Sequence, residues 1–136
     1  MGPLQSSTLE GSILFRSLNA QNTNLAETLC NCWKEAEPLL RHAASTHPSH
    51  TSHGPDHALA LVGILDQALE SILSEIKLSS DEIYILLCAT LLHDIGMVGA
   101  VSGTIEDHDR LRREHHVLTH NYILSNEDQL HMKWSQ

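Results

Sequence analysis

The chain has 136 residues, 41% of them hydrophobic, with 17 acids against 8 bases and a formal net charge of −9. A chain of that length makes one domain that buries around two-thirds of its unfolded surface without disulfides or a structural metal. The acidic balance leaves no basic stripe for a nucleic-acid scaffold, and the longest apolar run is about half of the roughly 20 residues that span a bilayer, so no membrane insertion is expected.

Residues 1–11, with Gly2, Pro3, Gly11 and two serines, read as a flexible arm or a cloning remnant, leaving residues 12–136 as the domain. From Ser12 to Leu40 the residues Ile13, Leu14, Phe15, Leu18, Leu25, Leu29, Trp33, Ala36 and Leu40 fall largely at helical spacing. Asn22 to Asn24 is a break or cap, and Pro38 is expected to bend the end. Residues 43–55, rich in Ser, Thr, His and Pro, read as a loop that delivers His53 and His57 to the next helix. Pro55 suits the first turn of that helix and Asp56 its dipole; Leu61, Ile64, Leu65, Ala68, Ile72 and Ile76 then predict one continuous buried face. His57, one turn before Leu61, is expected on the same face and pointing inward.

Ser79-x-x-Glu82 is a capping-box pattern that starts a helix ending at His93-Asp94. Ile83 to Leu92 is apolar almost all round, which predicts complete burial. Gly96, Gly99 and Gly103 mark a loop to about Asp107, and a last helix runs to about Leu124 with Leu111, Leu118 and Tyr122 facing in. On it His115 falls nearest the apolar centre, His116 lying about 100° further round. No strand-period alternation appears, so the expected fold is all-α, a single compact bundle of about five helices. Cys30, Cys32 and Cys88 have no disulfide-framework spacing and there is no secretory signal, so they read as reduced thiols in a cytoplasmic protein.

His93 and Asp94 at the inner end of a buried helix are costly without partners, and a metal ion is an economical partner for both. His57, His93-Asp94 and His115-His116 stand on three predicted helices, and facing helices of a bundle commonly build metal sites. Each segment also has a plainer reading: His93 favoured at a helix C-terminus, His57 as a core histidine, His115 and His116 on a solvated face.

The order His57, then His93-Asp94, resembles the HD superfamily of metal-dependent phosphohydrolases. Thr51-x-His53-Gly54-Pro55-x-His57, Leu91-Leu92-His93-Asp94-Ile95-Gly96-Met97 and Arg112-x-x-His115-x-x-x-Thr119 are similar to its HD-CE-type subgroup, whose members are often attached to chaperone-like ATPase domains. The likeness covers residues 25 to 125 but is specific at few of them. It implies an HD-like helical domain with His57, His93 and Asp94 holding one divalent ion, and Asp94 bridging to a second where His115 or His116 contributes. The ion is expected to be Mn, Fe, Co, Ni, Zn or Mg. His53 reads as a loop residue supporting a ligand rather than binding the ion.

In the family a further aspartate closes the site from a later helix, whereas here only Asp128 follows, in a polar run, which suggests missing C-terminal helices or a degenerate member. Met97 stands where many relatives carry a lysine thought to contact phosphate; Arg112 and Arg113 are the candidates for that role. The expected function is hydrolysis of a nucleotide or other phosphoester, with Asp94, Arg112 and Arg113 as the catalytic residues and a small phosphorylated molecule as partner. The alternatives are a non-catalytic module that senses a nucleotide or metal through a degenerate site, and a helical interaction domain.

Overall fold

A computed structural model describes residues 8–46, 54–72, 75–97 and 108–132. Among them are five α-helices and no strand: α1 (Ile13–Gln21), α2 (Thr23–Thr46), α3 (Pro55–Glu70), α4 (Ser80–Leu92) and α5 (His108–Ser125). Short 3-10 turns precede α1 (Leu9–Gly11) and follow α4 (Ile95–Met97). The all-α bundle expected from the helical periodicity is the observed architecture.

Asn22 divides the first apolar stretch, its side chain accepting the Leu25 amide at 3.0 Å to cap α2. Pro38 does not end α2, which continues to Thr46 and takes in the first residues of the predicted 43–55 loop. Lys34 and Pro38 both lie on the exposed side, so the carbonyl that loses its donor meets water. The predicted arm is corrected at one point: Leu9 is buried in the core, so the folded domain includes the turn before α1.

α3 does not bury the face its apolar pattern suggests. The buried residues are Pro55, Ala58, Leu59, Val62, Gly63 and Asp66, whereas Ile64 is 59% exposed. Ile72 and Ile76 lie beyond the helix end at Glu70 and are exposed. The rotation has a polar cause. Buried Asp66 accepts from Ser12 Oγ at 3.0 Å and from the Ile13 and Leu14 amides at 3.1 Å, while Ser12 Oγ accepts from Phe15 N. Together they satisfy the first-turn donors of α1 that the helix itself leaves open, with a carboxylate at the positive end of its dipole. Asp66→Ala is therefore expected to destabilise the protein by roughly 3 kcal/mol, since buried donors lose a charged acceptor. Urea unfolding checks this, and an unchanged midpoint would show the cap to be dispensable.

α4 begins as predicted: Ser79 Oγ accepts the Glu82 amide and the Glu82 carboxylate accepts the Ser79 amide. It buries Ile83, Tyr84, Leu87, Cys88, Leu91 and Leu92 against α1, α2 and α3. It is not buried all round, however, for Ile85 and Ala89 face out. The three cysteines are free. No described helix is long and apolar enough to cross a membrane. Past α5 the chain turns back and buries Leu130, which α5's periodicity did not reach.

Candidate metal centre

Three helices bring the chemistry to one point. Pro55 fits the first turn of α3, where its missing N–H is no loss, and places His57 on that same turn. α4 ends at Leu92 with His93 as its C-terminal cap, so the chain leaves the helix at the residue next to Asp94, and the Ile95–Met97 turn is closed by Met97 N donating to Asp94 O at 2.9 Å. α5 packs chiefly on that turn.

Asp94 is buried, and three imidazoles close on its carboxylate. His93 Nε2 is 3.1 Å and His57 Nε2 3.8 Å from Oδ2, while His115 Nε2 is 3.5 Å from Oδ1. Candidate ligand atoms of His57, His93 and Asp94 all lie within 4.8 Å of one another. Each histidine is about a third exposed, so the cluster is open to solvent on the imidazole side and closed behind the carboxylate.

The rings are held from behind. His93 Nδ1 is 2.7 Å from Thr90 O and His115 Nδ1 is 2.7 Å from Arg112 O, each a carbonyl on the residue's own helix. A carbonyl only accepts, so both Nδ1 atoms carry hydrogen and both Nε2 atoms are left to face Asp94. This is the arrangement by which proteins fix the tautomer of metal-binding histidines. The hydrogen bond to Asp94 raises the His93 pKa above the ordinary imidazole range, burial opposes it, and the Thr90 carbonyl adds to it. A proton between Nε2 and the carboxylate thus occupies ground that a divalent cation would take, and mixed imidazole and carboxylate donors suit such a cation.

Thr119 ties α5 to the turn. Its hydroxyl accepts from Gly96 N at 2.8 Å and donates to His93 O at 3.2 Å, and the residue is buried. Sequence reasoning quoted Thr119 in a motif without giving it this role; its partners are 23 and 26 residues away, beyond the reach of any local signal.

The other singled-out residues lie elsewhere. His116 is exposed, its ring edge-on to that of His115, so α5 brings His115 and not His116 to Asp94. Arg112 and Arg113 are exposed on α5, Arg112 one turn before His115. Met97 is buried in the turn, where it presents no cation. Asp128 lines a cleft with Thr28, Asn31, Glu127, His131 and Met132. His53, and the side chain of Leu111, fall outside the described residues.

A family model, HD-CE, matches residues 40–134, which include His57, His93, Asp94, His115 and Thr119. No curated protein and no solved structure matches the chain.

Proposed function

The chain belongs to the HD-CE family, and on that premise we propose that it is a metal-dependent phosphohydrolase acting on a nucleotide or other phosphoester. The observation that carries this reading is the convergence of the His57, His93 and His115 Nε2 atoms on the buried Asp94 carboxylate. His57, His93 and Asp94 would hold a divalent ion (Mn, Fe, Co, Ni, Zn or Mg), and His115, on the other carboxylate oxygen, offers a donor for a second. When bound, such an ion supplies Lewis acidity to a phosphoryl oxygen and to the attacking water. The chain's own residues do the positioning. Thr90 and Arg112 carbonyls hold protons on the Nδ1 atoms of His93 and His115, which keeps the Nε2 lone pairs directed at the site. The burial of Asp94 excludes water from behind the carboxylate, and the exposed Arg112 and Arg113 are the candidates for neutralising substrate phosphate.

A second reading, a module that binds a metal or nucleotide without turnover, is favoured by methionine at position 97, which puts no cation at that position of the motif. Either role is compatible with attachment to a chaperone-like ATPase domain. The test is metal content by mass spectrometry on untagged protein, beside His93→Ala and Asp94→Ala. Near-stoichiometric metal, lost in both variants, with phosphate released from esters in added Mn, is the expected result. Metal without phosphate release selects the second reading, and no metal after reconstitution overturns both.

A further inference from the structure

The face that α3 leaves outside lies beside the metal centre. Leu61, Ile64 and Leu65 of α3, with Ala89 and Thr90 of α4, line an open groove of about 350 Å³ that His93 also lines. The hydroxyl of Thr90 already donates to Leu86 O at 2.8 Å, and among the described residues no aspartate, glutamate, lysine or arginine lines the groove. Its size falls in the range of small-molecule sites, roughly 300–1,000 Å³, which are mostly apolar with a few polar groups fixing orientation. An isoleucine 59% exposed among other apolar side chains marks a surface that gains from being covered.

His93 decides what covers it. The same imidazole that sets its Nε2 against Asp94 forms part of the groove, so the groove and the metal centre share one wall. Apart from the imidazole, the described residues of the groove offer little with which to read the hydrogen-bonding edge of a nucleobase. Building on the phosphohydrolase reading above, we propose that the groove receives the apolar alcohol portion of a phosphate ester whose phosphate lies at His57, His93 and Asp94. The substrate class is then phosphate esters of apolar alcohols rather than nucleotides.

The test measures binding separately from turnover. The full chain, reconstituted with Mn, is titrated calorimetrically with n-hexylphosphonate and ethylphosphonate, which present the same head group and cannot be hydrolysed as esters. Four extra methylenes, partly buried in an open groove, are expected to give roughly tenfold tighter binding. Ile64→Ser, at an exposed position that does not threaten the fold, is expected to reduce the preference to about threefold or less; Ala89→Asp, which puts a charge in the groove, should do the same. Equal affinities, failure of both phosphonates to bind, or a preference that survives both substitutions overturns the proposal. So does a dimer of the wild-type chain that Ile64→Ser dissociates, since the groove would then be covered by a second copy. Hydrolysis of n-hexyl and ethyl phosphate, measured alongside, reports on the enzyme reading alone. A hexyl preference lost in the variants, without hydrolysis, upholds the groove and removes the enzyme; hydrolysis without preference does the reverse.

Discussion

Asp94→Asn is expected to weaken divalent-metal binding by more than about 100-fold, because changing groups that merely support metal ligands already costs about 10–100-fold. The amide keeps the size of the carboxylate but loses its charge and presents an N–H on one side, where the histidines now meet an oxygen. The same substitution is expected to leave the metal-free protein folded. Holding a buried carboxylate against His93 is stabilising while that imidazole is charged; once it is neutral the carboxylate has weaker compensation.

The sign follows from His93. Its pKa is raised in the folded state, so its contribution to stability is complete below the unfolded value, about 6.5, and is lost as pH rises through the folded value. Metal-free wild type should therefore lose stability across that interval, and Asp94→Asn should show a flatter profile, with a urea midpoint at alkaline pH no lower than wild type. Metal titrations and urea curves at several pH values check both halves. A variant that retains wild-type metal affinity removes Asp94 from the ligand set. One that unfolds at alkaline pH makes its role structural instead.

The features legible in the sequence were those whose causes are local. Ser79 and Glu82 cap α4 within one turn, and His93 and Asp94 are neighbours in the chain, whereas His57, on another helix, was picked out through the resemblance to the HD superfamily. The orientation of α3 was not legible, because Leu61, Ile64 and Leu65 form as good an apolar stripe as the buried one, and the deciding group is an aspartate acting 52 to 54 residues away. Periodicity counts apolar residues and assigns no weight to a carboxylate that caps another helix. That stripe, with Ile64 exposed and Leu61 and Leu65 half-buried, was therefore a correct pattern with the wrong destination. The helical wheel places His115 nearer the apolar centre of α5 than His116 while leaving both as candidate ligands, and it is His115 Nε2 that lies 3.5 Å from Asp94 Oδ1, since that orientation is set within one helix.

Gly96→Ala is the substitution expected to damage the fold and the site together. A Cβ at residue 96 would lie 2.1 Å from His115 O, 2.7 Å from Thr119 Oγ1 and 2.8 Å from Thr119 N. A hydroxyl can rotate away, but the nearest atom is a backbone carbonyl within α5, so relief requires the helix to move as a body. Such overpacking costs typically about 1–3 kcal/mol and occasionally more; with two backbone atoms in the way, roughly 3 kcal/mol is expected. Moving α5 also breaks the Thr119 link to Gly96 N and His93 O and withdraws His115 from Asp94. Metal binding should weaken with stability even though no ligand is altered. Thr119→Ala, which removes the hydroxyl and leaves space, is expected to cost about 1–2 kcal/mol from the two lost hydrogen bonds. Adding it to Gly96→Ala should not rescue the double variant, because the closest clash is with His115 O. Urea midpoints and metal titrations of the three variants make the comparison. If Thr119→Ala restores Gly96→Ala, the side chain and not the α5 backbone sets the limit at this contact, and the close approach of α5 to the turn is not what holds His115 in place.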